Sequence, residues 1–393
     1  MDTKRILFEL SKLSDSIEGN DTFHQRRVAV IAFELARELK FDSFGLDLVL
    51  KSALIHDIAL LNDTSRVETF RQIVYEEFGK LNKHAVISGR IARFFNLHLD
   101  ITTAINLHHT PHNSNSSIIG SILFLADNIE VAHRSLTNPF AFDELFEFLN
   151  QKSNLFDNTL LDAFKKCSQR ECFWFYLLDE NVDDRIEEIL KMLSEEEADD
   201  KFKNALSYFL AYASDNIAPF FDEYSILTKN IATSLGYKLN LDVNKLKYAA
   251  LLSHIGNLVI PFDVFKKESI DEVEYNIIKS HTLNAKRVLE RMGFDDIAGI
   301  VFSHHENVQN SGYPCKKMPS LESEVLGLSS FVAAMMQDRP YRAALNNKEI
   351  LNKIDKMSDK YHNNVVKALK EIDFDKVKKT KDEYYDAVSK LFL

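Results

Sequence analysis

Seven residues in the first half of the chain carry side chains suited to holding divalent cations: His24, His56, Asp57, His84, His108, His109 and Asp127. Imidazole and carboxylate groups suit borderline ions such as iron, manganese or zinc, and a carboxylate has two oxygens with which to bridge a pair of them. Seven such groups suffice for two ions. Two cations held together acidify water, polarise phosphoryl oxygens and offset charge on a leaving oxygen, which is the chemistry of phosphoester hydrolysis. Taken singly, each residue has an ordinary alternative. The His-Asp dipeptide reads as a helix end, His84 as a helix-start residue, Asp127 as a buried cap, and His108-His109 as part of a loop of surface imidazoles in which His112 belongs. The ordered set carries the argument, not any one member.

The elements that must position these groups read as helices. Val28, Ile31, Ala32, Leu35 and Leu39 fall on one stripe of a helix over 22–39, and Ile226, Leu227, Ile231 and Leu235 on one over 223–236. Helices are also expected over 44–58, 81–95, 117–134, 157–170 and 182–194, then over 242–254, 272–292, 320–337 and 382–392. Neighbouring helical residues diverge by about 100°, so His56 and Asp57 reach one cluster only if it lies near a helix end.

The chain echoes itself. Ala53-Leu54-Ile55-His56-Asp57-Ile58 returns as Ala250-Leu251-Leu252-Ser253-His254-Ile255, and His84 returns as His281, both at an offset of 197; His108-His109 returns as His304-His305 at 196. A tandem duplication of a unit of about 195 residues follows, giving domains 1–195 and 196–393. The acidic run Ser194 to Asp200 between them reads as a solvated linker or helix end. In the second copy Ser253 and His254 replace the dipeptide, the first-helix histidine falls at Phe220 or Phe221, and Ser330 takes the place of Asp127. His281, His304 and His305 remain; His254 is read as a packed core histidine in preference to a residue that recruits a single metal, so metals are expected only in the first half. Three neutral imidazoles without a bridging carboxylate leave two cations unneutralised.

Composition narrows the class. Only 11 Gly and 7 Pro in 393 residues leave too little turn punctuation for many short strands, and an all-α protein is expected. No apolar stretch approaches the roughly 20 residues of a membrane span. Cys167, Cys172 and Cys315 lack CxxC spacing, which argues for reduced thiols; with no signal core behind Met1, a cytoplasmic location is expected. A formal charge of −11 disfavours a nucleic-acid polymer and leaves a small phosphorylated nucleotide as the ligand class.

The full set resembles the HD superfamily of metal-dependent phosphohydrolases, named for its His-Asp dipeptide, and within it the HD-GYP branch of cyclic-dinucleotide phosphodiesterases. His24 with Arg26-Arg27-Val28 is similar to that family's first ligand helix, and Leu155 to Phe175 to a stretch that follows the HD core in related tandem proteins. His304 through Glu306, Gly312-Tyr313-Pro314 and Arg339-Pro340-Tyr341-Arg342 are similar to the signature loop and the arginine-tyrosine motif after it. The resemblance implies two tandem HD-type helical domains and two divalent ions (iron, manganese or zinc). One ion would sit on His24, His56 and Asp127 and the other on His84, His108 and His109, with Asp57 as bridge and His56-Asp57 as the catalytic pair. Arg26 and Arg27 are candidate phosphate contacts. The second domain is expected to act as regulator, homodimer contact or dock for a signalling partner. Departures stand at Ala59 and Leu60, where the family often has Gly-Lys, at Asn20, where a third-metal glutamate would fall, and at Thr110, in place of the loop glutamate. Two further readings stay open: a non-catalytic nucleotide sensor with a structural metal site, and oxidative chemistry at a di-iron centre.

Overall fold

Apolar residues at helical spacing, with few glycines and prolines to interrupt them, produce helices throughout. Among the residues described there is no strand, only isolated bridges between Asp2 and Glu197 and between Arg339 and Arg342. The computed structural model describes every residue except 18–22, 63–82, 137, 139, 141, 268, 340 and 341, so the positions of Asn20, Pro340 and Tyr341 lie outside it. The chain is built as two units, Met1–Phe202 and Lys203–Leu393.

The division falls after the acidic run because that run is strapped to the first unit. Thr3 donates its N–H to Glu196 O at 2.8 Å, Ala198 N–H donates to Met1 O at 2.9 Å, and the Glu196 carboxylate pairs with the buried Lys51 ammonium. The expected solvated linker is therefore a segment of the first unit, held by main-chain bonds.

The first unit contains α1 (Thr3–Ile17), α2 (His24–Glu38), α3 (Ser43–Leu54), α4 (Lys83–Phe94), α5 (Leu99–Asn106), α6 (Ile118–Ser135), α7 (Phe142–Gln151), α8 (Asn158–Ser168), α9 (Glu171–Phe175) and α10 (Val182–Met192). Helix α2 is its centre, packed against α1, α3, α6, α8 and α10. The second unit is built on α11 (Asp200–Asp215), whose first turn contains the division, α12 (Tyr224–Leu239), α13 (Val243–Leu252), α14 (Asp263–Lys266), α15 (Glu272–Lys279), α16 (His281–Met292), α17 (Asp295–Phe302), α18 (Leu321–Met335), α19 (Asn347–Lys356), α20 (Asn363–Lys370), α21 (Phe374–Lys379) and α22 (Glu383–Ser389). Here α12 is central, against α13, α18, α20 and α21. The single helix expected over 272–292 is two, broken at Ser280.

The two central helices begin in the same unusual way. Phe23 before α2 has φ 53° and ψ 16°, and Glu223 before α12 has φ 54° and ψ 17°; neither side chain caps its helix. The exposed first-turn N–H groups are instead met from the preceding helix. Asp15 accepts from Gln25 N at 3.0 Å, and Asp215 accepts from Ser225 N at 3.2 Å.

Candidate metal centres

Histidines just past helix C-termini form the site, and the helix ends explain their orientation. Helix α3 stops at Leu54, short of the expected 58, and the chain turns through Ile55, His56 and Asp57 into a 3-10 helix over Ile58–Asn62. This turn lets both residues of the dipeptide face one cluster. The His56 Nδ1–H donates to Ala53 O at 2.8 Å, and His108, past the end of α5, donates in the same way to Ile105 O at 2.7 Å. Each bond satisfies a helix-end carbonyl and leaves the Nε2 lone pair facing inward. The Nε2 atoms of both rings, with Asp57 Oδ1, are buried and have no hydrogen-bond partner. Buried orphaned acceptors on imidazole and carboxylate are what a resident cation would satisfy, so the residues fit the implied metals.

Asp57 lies between two histidine sets. Its Oδ1 is 3.4 Å from His84 Nε2 and 3.3 Å from His108 Nε2, while its Oδ2 is 3.7 Å from His24 Nε2 and 3.6 Å from His56 Nε2. Potential ligand atoms of His24, His56 and Asp57 lie within 4.8 Å of one another, and so do those of Asp57, His84, His108 and His109. Asp127 stands across both sets, with Oδ1 3.4 Å from His24 Nε2 and Oδ2 3.6 Å from His109 Nδ1. The His109 side chain is 26% exposed and that of His84 11%, while those of His56 and His108 are not exposed at all. His112 lies apart, 3.3 Å from Asp157.

Burial opposes charge on Asp57, but the surrounding histidines, His56 and His84 foremost, outweigh it and hold the carboxyl well below its usual range. Burial pushes His56 down to about 3 and Asp127 up to about 6. His24 is disfavoured as a cation by burial, yet Glu130, Asp57 and Asp127 together raise it well above the ordinary value.

Glu130 is a buried residue in contact with His24 that the sequence reading did not single out. Its Oε2 lies 2.5 Å from His24 Nδ1, and its Oε1 takes Arg27 at 3.3 Å and Arg134 at 3.4 Å. Burial works against its charge, but His24 and these guanidinium groups bring it down to about 2. It stands one turn beyond Asp127 on α6, a spacing that places both on one helix face and was the available signal. Arg26 and Arg27, candidate phosphate contacts, are engaged in the scaffold. Arg26 is buried against Asp15 at 2.8 Å and Asp183 at 2.9 Å. Arg27 donates to Leu177 O at 2.9 Å as well as to Glu130. Ala59 and Leu60 are both buried.

The second unit corrects one assignment. The matched left-handed starts put Tyr224 in the place of His24, at an offset of 200; Phe220 and Phe221 lie in the turn before it, because Tyr224 and Ser253 are three residues closer in sequence than His24 and His56. The Tyr224 hydroxyl is 2.8 Å from Ser330 Oγ, replacing the approach of His24 to Asp127. Ser253 donates to Ala250 O at 2.9 Å, the bond His56 makes in the first unit, and its oxygen lies 2.8 Å from His254 Nδ1. His254, expected as a packed core residue, is brought together with His281, His304 and His305, with potential ligand atoms all within 4.8 Å.

The retained loop packs on this cluster. The Tyr313 ring stacks on His305 at 4.6 Å, not on the helix preceding Arg339, and Tyr313 N–H donates to His305 O at 3.2 Å. A Cβ on Gly312 would stand 2.3 Å from that oxygen, so only glycine allows the approach. Pro314 is exposed beyond it. The Arg339 guanidinium lies 5.0 Å over Tyr224 and donates to Phe220 O at 3.1 Å. Arg342 donates to Met335 O at 3.4 Å, Gln337 O at 3.2 Å and Ala334 O at 2.5 Å, capping the end of α18.

Known proteins share this plan. The 3'3'-cGAMP-specific phosphodiesterase 1 of Vibrio cholerae serotype O1 is 22% identical over 388 residues, covering 89% of this chain and 86% of its own. The cyclic di-GMP phosphodiesterase PdeB of Borreliella burgdorferi is 30% identical over 149 residues, 35% of this chain and 39% of its own. A crystal structure of cyclic GMP-AMP specific phosphodiesterases in V. cholerae (V-cGAP3) superposes with a TM-score of 0.65 at 15% identity over 94% of this chain and 97% of that one, a likeness of fold. Among the described residues no helix is long and apolar enough to cross a membrane. An HD domain matches residues 23–132 and a second HD-domain model matches 210–365, and the chain therefore belongs to the HD-domain proteins, with two such domains in tandem.

Proposed function

We propose that the first unit is a metal-dependent phosphodiesterase that cleaves a nucleotide, with a cyclic dinucleotide as the favoured substrate, and that the second unit regulates it. The observation that carries this reading is the position of Asp57, whose two oxygens each face a separate pair of histidines. His24, His56 and Asp127 would hold one divalent ion and His84, His108 and His109 the other, with Asp57 between them. Two such ions, when bound, would neutralise charge on a phosphodiester and make water a better nucleophile near neutral pH. Asp57 stays ionised to balance them, and Glu130 fixes the His24 ring. The half-open edge at His109 admits the substrate, while the burial of His56 and His108 keeps bulk water from the far side.

The names of the relatives support the substrate class, since three of them act on cyclic dinucleotides. The retained Gly312-Tyr313 loop supports descent from the HD-GYP branch. Leu60 favours a second reading, nucleotide sensing with a structural metal site, because a buried leucine stands where that branch often carries its phosphate-facing lysine. The deciding experiment loads the full chain with iron, manganese or zinc and screens cyclic dinucleotides, linear dinucleotides and nucleoside phosphates for hydrolysis. Turnover of a cyclic dinucleotide is expected. Chain holding two ions that binds nucleotides but cleaves none would establish the sensing reading instead.

A further inference from the structure

The second unit has lost one half of the metal centre and completed the other. In the first unit the set His24, His56 and Asp57 and the set Asp57, His84, His108 and His109 share the bridging carboxylate. In the second unit Tyr224 and Ser253 stand at the places of His24 and His56 and Ser330 stands at that of Asp127, and none offers an imidazole or a carboxylate. The other set is kept as His281, His304 and His305, and the place of the shared Asp57 is taken by a fourth imidazole, His254.

The lone pairs of this set are directed by their hydrogen bonds. His281 Nδ1–H donates to Ile278 O at 2.7 Å, and His304 Nδ1–H donates to Val301 O at 2.5 Å. The Ser253 hydroxyl has one proton, which it gives to Ala250 O. Its oxygen must therefore accept from His254 Nδ1–H, which fixes that ring with its Nε2 unprotonated. His281 Nε2 and His304 Nε2 are buried with no hydrogen-bond partner, although His281 is only 3% and His304 only 1% exposed. Core packing alone gives no reason to aim buried, orphaned acceptors at one point.

The geometry points to a mononuclear site in the second unit, in which His254, His281, His304 and His305 bind one borderline divalent ion of the zinc type. Four neutral nitrogens select zinc, cobalt or nickel over magnesium, calcium or manganese, which prefer oxygen. A set of four protein ligands is the closed arrangement of structural sites, so the ion ties the ends of α13 and α17 to the start of α16 and leaves no position for reacting water.

Cobalt(II) titration of the chelator-stripped full-length chain tests this, read by visible absorption and by elemental analysis. The natural chain is compared with His281→Gln/His304→Gln and with His56→Ala/Asp57→Ala/His108→Ala, which takes a ligand from each set of the first unit as well as the carboxylate between them. The first variant should lose about one equivalent of metal together with the intense bands of a tetrahedral nitrogen-bound ion. The second should keep that equivalent and those bands while losing the metals of the first unit. Unchanged metal content in His281→Gln/His304→Gln, or absence of the bands from His56→Ala/Asp57→Ala/His108→Ala, overturns the proposal. If the glutamine variant fails to fold, the spectrum of His56→Ala/Asp57→Ala/His108→Ala alone decides, since the first unit then has no complete set.

Discussion

The two units start from one plan and differ in how they treat buried charge. The first keeps carboxylates at its centre and surrounds them with cations: Asp57 among four histidines, Glu130 between Arg27 and Arg134, Asp15 against Arg26. The second replaces most of these with neutral groups at the same places. His24 facing Asp127 becomes Tyr224 facing Ser330, and Asp15 paired with Arg26 becomes Asp215 held by Ser225 and the Tyr385 hydroxyl. A catalytic centre needs the ionised carboxylate to balance bound cations, and its supporting charges follow from that need. Where no carboxylate has cations to balance, neutral hydrogen bonds hold the same helices at lower desolvation cost.

The largest expected effect falls on Asp57. Asp57→Ala should reduce phosphodiester hydrolysis to background and lower metal content while the helical circular dichroism signal survives, whereas His112→Ala should leave turnover unchanged. Full turnover in Asp57→Ala would remove the distinction between the units. Next comes Arg26→Ala, which leaves the buried Asp15 unpaired; a loss of about 3–5 kcal/mol in stability is expected from denaturant unfolding. If Arg26 is a phosphate contact instead, KM rises in a chain of unchanged stability. Glu130→Gln should follow, weakening metal binding or activity by about 10–100-fold, because the His24 ring loses its orienting acceptor. A metal titration unchanged in that variant would separate Glu130 from the site.

The most gradual effect, spread over several pH units, concerns Asp215. Burial, with Asp222 adding repulsion, pushes its carboxyl up to about 8 despite its hydrogen bonds to Ser225 and Tyr385. In the unfolded chain the group ionises near the ordinary value of 3.8. Between these values the folded form binds the extra proton, so stability falls as pH rises, by at most about 1.4 kcal/mol per pH unit, and levels off above the folded value. Asp215→Asn should flatten this slope for unfolding of the second unit. A slope unchanged in that variant would show that Asp215 is ionised when folded.

Much of this organisation was legible in the sequence because metal ligands and apolar stripes are chemically distinctive. The seven candidate residues come together, and the central helices lie within a residue or two of their stripes, apart from the C-terminal end of α12 at Leu239. What the sequence concealed was local. The offset of 197 read at the dipeptide does not hold at the first helix, because three residues fewer separate Tyr224 from Ser253 than separate His24 from His56, and the matched backbone at Phe23 and Glu223 reveals it. His254 is buried, as expected, but the three imidazoles beside it are distant in sequence and gave no local signal. The acidic run is exposed, as expected, except at Ala198, but nothing in its composition announces main-chain bonds to Met1 and Thr3.

The carbonyl-bound imidazoles past the helix ends have a consequence for how metal is acquired. Rings held at His56, His108, His281 and His304 have lost their rotational freedom when the chain folds, before any ion arrives. The sites are thus preorganised, and binding does not have to order its own ligands. Affinity then depends on the integrity of a helix's last turn as much as on the histidine itself. A glycine introduced at the exposed Asn106, at the end of α5, frays that turn without removing a ligand or a core side chain and should release metal faster than the natural chain does.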